Sequence, residues 1–324
     1  MRVSPVLSGA VCVLSFCACT GSQPEAAPAK PADAAVSPQA AEPTVWPPRM
    51  TTVPEVAVTR GDQVNAVRVR SIGSDNPYAE VWKQAPYFET PLQAQQMAMP
   101  TIPAPTVTSL RAQALRDGER IAFRLSWADS TADGNVDSGQ FTDAVAVEFP
   151  LDAGAAPMMG HKGAKVHILH WKALWQKDMD VGFQDVQDLH PNYWYDLYWF
   201  AEGKFPFPVK SGAFKDPRSL QWFIAQSAGN PMAVFSRTQP VEELIAEGYG
   251  SLTHQPQSAS TGKGAWVNGQ WAVVISRPLT TNDASDFQFK PGNTQIAFAV
   301  WQGGSGNVGG RKNWTSWSSM AVAP

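Results

Sequence analysis

The sequence predicts a mostly β fold, an antiparallel β-sandwich with a short helical and loop insertion. Two observations predict it. Short segments of alternating apolar and polar residues, rich in β-branched and aromatic side chains, recur along the chain, with turn signals such as DGN and NG between them. Helical signals are few and lie near the centre. With 324 residues, the chain can bury a sizeable core.

The N-terminus has the pattern of an export signal over residues 1–19. Arg2 gives a positive start, and the apolar run 6–19 is too short to span a bilayer as a permanent helix. A small residue, then Cys19, then a polar segment is typical of a bacterial lipoprotein, although Phe16 and Cys17 fit the usual pattern imperfectly. Lipidation of Cys19 and ordinary signal cleavage therefore both stay open. We expect a periplasmic or outer-surface protein that a lipid anchors to a membrane leaflet.

Cysteine usage and charge exclude several classes of protein. All three cysteines lie in the signal segment, so the mature domain has no disulfide, no thiolate metal ligand and no CxxCH motif for covalent haem. Iron–sulfur clusters, blue-copper centres and c-type haem are thereby excluded. The net charge of −3 provides no basic surface for nucleic acid.

Residues 20–49 are rich in Ala and Pro and have no apolar periodicity, so they predict a disordered tether. Residues 50–324 then form one predicted β-sandwich domain. Its predicted strands fall in 51–60, 63–72, 119–129, 143–150, 164–175, 269–279, 294–303 and 312–320. In 119–129, the residues Ile121, Phe123, Leu125 and Trp127 alternate onto one face, as in a half-buried strand.

Two segments predict helices. Segment 216–229 has a Pro near its start and a Gly at its end, and segment 238–250 has Thr238 as a possible N-cap with Gly248 as a stop. Between the strands and these segments lies an aromatic, loop-rich insertion at 181–200.

The histidines and acidic residues give no strong metal signal. His167 and His170 have HxxH spacing but lie in a strand, where residues three apart point to opposite faces. We expect each to be a partly buried side chain with a hydrogen-bond partner. An acidic segment contains Asp129, Asp133 and Asp137 and is followed by Asp143. Its density suits Ca²⁺, but it lacks the EF-hand order, and a solvated turn is the favoured interpretation.

No catalytic motif stands out, since the chain has no GxSxG sequence and the mature domain no thiol. Two methionines at a turn remain, Met158 and Met159, between Pro157 and Gly160. A thioether is a soft, neutral ligand for haem iron or copper(I). From the residues alone, packing is the ordinary role of such a pair.

Eight segments in order carry a resemblance to a known family. They are FRLSWAD, DAVAVEFP, PMMG, VHILHWKA, PVEELIAEGYGSLT, GKGAWVNGQWAVVISRPL, FAVWQGG and GGRKNWTSW. Over about residues 55–320 the chain resembles the haem-binding gamma subunit of ethylbenzene dehydrogenase and its relatives in dimethylsulfide dehydrogenase, selenate reductase and chlorate reductase. The resemblance implies a β-sandwich that holds one non-covalent haem b within the sandwich.

The resemblance also implies the iron ligands, a methionine sulfur and a lysine amine. The methionine maps onto Met159, with Met158 as the alternative, and the lysine maps onto Lys312. Asn313 stands where the family usually has Ser, and Glu148 where it often has Gln. Trp127, Trp171 and Trp301 would cover the porphyrin, although core packing accounts for them equally well.

Two protein ligands leave no open position on the iron, so the implied role is single-electron relay and not catalysis. The implied partners are an iron–sulfur subunit of a molybdopterin enzyme and a soluble cytochrome c. The tether suggests that this chain works apart from such a complex. Two other classes stay open: a non-haem, carbohydrate-binding-like lipoprotein, which the 13 Trp residues would suit, and an enzyme acting alone, for which no nucleophile–base pair is found.

Overall fold

The computed structural model describes residues 46–47, 59–184, 186–190 and 223–324. The predicted signal segment, Cys19 and most of the predicted tether lie outside these residues, as does the first half of the predicted helix 216–229. Within the described part, no helix has the length and apolar character that crossing a membrane requires.

The described elements are mostly strands, as the alternating pattern predicts. The strands are β1 (Val64–Arg68), β2 (Phe88–Pro91), β3 (Gln93–Ala94), β4 (Ser109–Arg116), β5 (Arg120–Ala128), β6 (Ala144–Pro150), β7 (Val166–Lys172), β8 (Val241–Ala246), β9 (Thr253–His254), β10 (Thr261–Val267), β11 (Gln270–Pro278), β12 (Gly292–Trp301), β13 (Asn313–Trp314) and β14 (Ser318–Val322). The α-helices are α1 (Ala173–Val181), α2 (Val186–Leu189) and α3 (Ile224–Ser227), and 3₁₀ turns lie at Glu80–Gln84 and Gly303–Ser305.

Two sheets share the long strand β12. The first has the order β10-β11-β5-β4-β1-β14, with β2 also on β4, and the second runs β12-β6-β7-β8-β9, with β13 and β3 beside β12. The first half of β12 pairs with β14 and its second half with β6. The prediction of a purely antiparallel sandwich is wrong at one place, because β1 is parallel to both β4 and β14. The long connection from β1 to β4 allows that parallel pairing.

The core between the sheets consists of residues that alternate along the strands. Ile121, Phe123, Leu125 and Trp127 of β5 all point into it, as predicted. Val145, Val147 and Phe149 of β6, Leu169 and Trp171 of β7, and Trp271, Val273 and Ile275 of β11 meet them there. Burial of every second residue gives each sheet one apolar face, and the two apolar faces pack together as a sandwich.

The helix predicted for segment 238–250 is wrong, since this segment forms strand β8. Val241 pairs with Trp171 and Ala246 with Val166 of β7, and β9 covers the other edge. All residues of β8 except the half-buried Ile245 are buried, so burial in a sheet outweighs the helix-forming character of the glutamates. The segment 164–175, in contrast, is strand only to Lys172 and continues as α1.

Trp46, which the sequence assigns to the tether, packs against the core. Its ring centroid lies 6.0 Å from that of Trp271, and its indole N–H donates to Asp180 at 3.0 Å. A side chain at Gly134 would overlap the Trp46 ring, at 2.2 Å. The folded unit therefore includes this residue.

Candidate functional site

A cavity of about 780 Å³ lies on the outer face of the second sheet. Its floor comes from alternate residues of three strands: Ala146 and Glu148 of β6, Ile168 and His170 of β7, and Ala299 and Trp301 of β12. Ala146 lies directly opposite both His170 and Ala299. Small side chains at the middle of the floor leave room above the sheet, and the volume is that of a pocket for a large organic ligand. The cavity lies outside the core between the sheets, which aromatic and aliphatic side chains fill.

Met158 and Met159 both line the cavity, at the turn that the sequence predicts. Met159 has φ = 65°, a left-handed conformation that costs a side-chain-bearing residue about 1–2 kcal/mol. The surrounding structure holds it: the Met159 N–H donates to Glu148 Oε2 at 3.4 Å, and its carbonyl accepts the Gly248 N–H at 2.7 Å. Met159 also packs on the apolar floor of the cavity. Strain maintained in this way is typical of functional sites.

Gly160 fixes the methionine turn against the strands. Its φ is 68°, and a Cβ placed there would lie 2.5 Å from the Ala164 oxygen and 3.1 Å from the Ala246 oxygen. Only glycine permits both this conformation and this approach. The turn therefore sits against β7 and β8 at a set distance, and Met159 is placed with it.

Lys312 is far from the two methionines in sequence, but it lines the same cavity. Lys312 as a whole is 8% exposed. Its amine has no hydrogen bond or ion pair among the described residues. Burial lowers the pKa of Lys312, and the charge of Glu148 opposes that shift. The amine lies 5.4 Å from the centre of the Trp301 ring. A buried amine without a partner is unusual and marks a position where a ligand is expected.

Asn313, the departure from the family pattern, builds the support for Lys312. Its side-chain oxygen accepts the Thr106 N–H at 2.8 Å, and its amide donates to Val300 and Asn307 at 3.2 and 3.0 Å. The Lys312 carbonyl accepts an N–H from the neighbouring strand β3 segment at 3.0 Å. The carbonyl of Lys312 and the side chain of the residue that follows it are thus held by hydrogen bonds.

Two further polar residues of the cavity were not predicted as functional. Glu148 Oε1 and His170 Nε2 are buried without a hydrogen-bond partner. Burial raises the pKa of Glu148 to about 7 despite the Lys312 charge, and burial together with Lys172 and Lys312 holds the pKa of His170 well below its usual range. The His170 ring stacks on Trp301 with centroids 4.7 Å apart. The signal for both is their position on the same strand face as Ala146, which only the sheet pairing reveals.

The tryptophans divide between two environments. Trp301 lines the cavity. Trp127 and Trp171 belong to the core between the sheets, with rings against Trp271. In β7, Ile168 and His170 face the cavity. Successive strand residues point to opposite faces, so Leu169 and Trp171 face the core. Trp127 and Trp171 therefore do not line the cavity, and core packing accounts for both.

The donor set of the cavity fits haem iron. It combines a thioether, an amine and an imidazole with apolar walls, and it contains no thiolate. Neutral nitrogen and sulfur ligands suit iron in a porphyrin, and buried neutral groups avoid the penalty of desolvating a charge. Met159 and Lys312 are the residues that would hold such a group.

His167, on the other face of β7, belongs to a buried polar network. Arg277 and the Phe287 N–H both donate to His167 Nδ1, at 2.9 and 3.1 Å. The other ring nitrogen therefore carries the proton and faces Glu243 and Asp286 at 3.4 and 3.7 Å. A metal ligand would need a free electron pair there, so His167 offers none to a metal, and it joins the network through its bonds to Arg277 and Phe287. Although burial would raise it, the His167 and Arg277 contacts lower the pKa of Glu243 to about 2.

The acidic segment differs from the solvated turn that the sequence favours. Asp129 and Asp143 are buried, and carboxylate oxygens of Asp129, Asp133 and Asp143 lie within 4.8 Å of one another. Asp137 is outside this group and pairs with His190 at 2.7 Å. The prediction was wrong because Asp143 begins a central strand and carries the neighbouring acids with it into the fold.

Comparisons with known proteins point to one family. The family model described as ethylbenzene dehydrogenase matches residues 79–313. The chain is 27% identical over 274 residues to the putative respiratory nitrate reductase heme subunit ORF7 of Haloferax mediterranei, covering 83% of this chain and 77% of that protein.

Two further curated proteins are similar over most of their length. The chlorate reductase subunit gamma of Ideonella dechloratans is 27% identical, covering 73% of this chain and 76% of that protein. The dimethylsulfide dehydrogenase subunit gamma of Rhodovulum sulfidophilum is 24% identical, covering 74% and 73%. Among solved structures, a family 9 carbohydrate-binding module from Caldicellulosiruptor kristjanssonii matches with a TM-score of 0.34 and 6% identity, over 80% of this chain and 94% of that one. That similarity is too weak to support a functional argument.

Proposed function

The chain belongs to the ethylbenzene dehydrogenase family, and from this premise we propose that it binds one non-covalent haem b and relays single electrons. One observation carries the proposal: Met159 and Lys312 line the same cavity, and the amine of the buried Lys312 has no hydrogen-bond or ion-pair partner among the described residues. The names of the relatives, a heme subunit and two gamma subunits, support it. Bound there, haem would supply a one-electron carrier.

The residues around the cavity prepare a coordinating pair. Lysine donates an electron pair only as the neutral amine, and burial favours that form. Glu148 Oε1, unpaired in the same cavity, can hold the proton that the amine gives up. The Met159 thioether can donate an electron pair without losing a proton. The strained turn at Met159 keeps this residue at the cavity. Arg311 cannot replace Lys312, because a guanidinium does not deprotonate in proteins.

The residues of the cavity favour electron relay over a reaction on a substrate. Ile168, Leu244 and Ala299 make the floor apolar, and two protein ligands would leave no iron position for a substrate. We propose an iron–sulfur or molybdopterin subunit and a soluble cytochrome c as redox partners.

We also propose export, cleavage of the signal and lipidation at Cys19; the Ala/Pro-rich tether would let the domain work from a membrane leaflet. Copurification of a stoichiometric molybdoenzyme would count against independent action.

Absorption spectra of the full chain, produced with ample haem, test the ligand pair. Wild type should show a six-coordinate, low-spin spectrum, which Met159→Ala and Lys312→Ala should each lose. Met158→Ala and Arg311→Ala are matched controls, one position away from each ligand, and should keep it. A colourless wild type that binds saccharide would contradict the proposal and favour the non-haem alternative. An unchanged spectrum in both ligand variants would reject these ligands.

A second test blocks the cavity from its floor. In Ala146→Leu, the larger side chain would extend into the cavity above β6, and this variant should not take up haem. Because those atoms enter a cavity and not a packed core, the apoprotein should unfold at nearly the same temperature as wild type. Full haem loading of Ala146→Leu would place the cofactor elsewhere.

A further inference from the structure

The acidic cluster of Asp129, Asp133 and Asp143 is a concentration of buried negative charge without a counter-charge. Asp129 is 2% exposed and Asp143 0%. No Lys, Arg or His of the described residues forms an ion pair with any of the three. Buried carboxylates in proteins are ordinarily paired or bound to a metal.

Hydrogen-bond donors hold the carboxylates in place, at both oxygens of Asp143 and at one oxygen each of Asp129 and Asp133. Asp133 Oδ2 accepts the Gly304 N–H at 2.9 Å, and Asp143 Oδ1 accepts the Gly303 N–H at 2.8 Å. Asp129 Oδ1 accepts from the Gln302 side chain at 3.1 Å. Asp133 Oδ1 has no hydrogen bond among the described residues, so a free oxygen remains within the cluster.

A second observation points to a ligand. Asp129 Oδ2 is buried and has no hydrogen-bond partner. The Trp127 indole N–H is near this carboxylate, yet it too lacks a hydrogen bond of normal geometry. An unsatisfied carboxylate oxygen inside the protein costs about 1–3 kcal/mol or more, so its persistence beside two other acids indicates a missing partner.

We propose that Asp129, Asp133 and Asp143 bind a divalent cation, Ca²⁺. All the available ligands are oxygens, which hard cations prefer, and Ca²⁺ tolerates the irregular geometry that three segments would impose. Asp129, Thr131 and Asp133 keep the alternate spacing of the first ligands of an EF-hand loop, although Gln140 stands where that loop has its final Glu. Here Asp143, at the start of β6, takes the place of that glutamate.

The cation would brace the turn that follows Trp301. Asp129, Asp143 and Asp133 accept hydrogen bonds from Gln302, Gly303 and Gly304, respectively. Trp301 is a wall of the cavity described above. The site itself is independent of the proposed haem function, since none of its ligands lines that cavity.

Sensitised terbium luminescence tests the site directly. The Trp271 indole N–H donates to Asp143 at 2.9 Å, so Tb³⁺ bound there has a donor chromophore in contact with its ligand. In the chelator-treated full chain, excitation of tryptophan should give saturable Tb³⁺ emission that Ca²⁺ displaces more effectively than Mg²⁺. Asp129→Asn should weaken Ca²⁺ competition by tenfold or more.

Thermal unfolding supplies a second readout. Calcium at about ten times its Kd should raise the Tm by about 3 °C or more in wild type. Asp117→Asn is the matched control, because Asp117 also accepts backbone N–H groups but lies outside the cluster; it should keep the full rise. Asp129→Asn should lose it, and Asp133→Asn, at a less buried position, serves if that variant does not fold. A wild type with no calcium-dependent Tm and no displaceable emission, or equal responses in all variants, would overturn the proposal.

Discussion

The substitution Gly160→Ala tests whether a close backbone approach sets the position of the methionine turn. The structure offers a matched control in the same loop, Gly163→Ala. Both glycines have positive φ, 68° and 87°. An added Cβ at Gly163 would meet nothing within 4 Å, whereas at Gly160 it would lie 2.5 Å from the Ala164 oxygen. The two variants therefore share the conformational strain and differ in the steric overlap.

The expected magnitudes follow from that difference. A left-handed alanine costs about 1–2 kcal/mol of unfolding free energy relative to glycine, and both variants should lose this amount. Gly160→Ala should lose about 1–3 kcal/mol more, because a backbone oxygen must move by several tenths of an ångström to relieve the overlap. The Ala164 oxygen is fixed by the His161 N–H at 3.0 Å, so the turn carrying Met159 is the part that shifts.

Denaturant unfolding of the apoproteins and absorption spectra of the haem-loaded proteins provide the measurements. We expect Gly160→Ala to be the less stable variant by that margin and to show a weakened low-spin spectrum. Gly163→Ala should show the wild-type spectrum. Equal stability losses together with identical spectra would refute the reasoning, since the close approach would then have no part in holding the turn.

Three further predictions concern the framework. Glu243 has a pKa of about 2 in the fold against 4.5 ordinarily, so the stability that its ionised form provides above pH 4.5 should be lost as the pH falls toward 2. The loss of unfolding free energy is about 3 kcal/mol. In Glu243→Gln, urea unfolding midpoints should vary less with pH across this range. Trp46→Ala should lower unfolding free energy by about 2 kcal/mol through lost packing on Trp271, and Trp46→Phe should recover most of it in thermal melts. Asn313→Ala should lose about 1–3 kcal/mol of unfolding free energy by leaving buried partners unsatisfied. If Lys312 is the proposed ligand, the haem-loaded variant should also show a weakened low-spin spectrum. No loss of stability would contradict the role assigned to Asn313.

The strands were predictable where one face is buried, because period-two alternation is a local property. β5 shows this, with Phe123 and its neighbours pointing to the core as predicted. β8 was not predictable, since its two adjacent glutamates suit a helix and only pairing with β7 makes it a strand. The parallel placement of β1 was equally hidden. It depends on β14, at the other end of the chain, and no local pattern specifies that partner.

The site was predictable only through the family resemblance, and in part. That resemblance led to Met159 and Lys312, which the structure brings to one cavity. It did not reveal Glu148 or His170, because a residue joins the cavity through the register of the sheet. Glu148 lies opposite Ile168 and His170 opposite Ala146. Neither pair can be inferred from the spacing of residues along a single strand.

The same register explains why a strand face that lines a cavity can be mistaken for a core face. β6 and β7 are buried on both faces, one against the other sheet and one beneath the loops over the cavity. Such strands read as continuous apolar runs, and the second buried face has no signature of its own. What distinguishes it is chemistry that a plain core would not keep. An acid and an imidazole on the cavity face, each with an unpaired atom, are costly against apolar walls unless a bound group gives them a role. In β6, where Glu148 is the charged residue of an otherwise apolar strand and lies on the cavity face, that chemistry marks the ligand side.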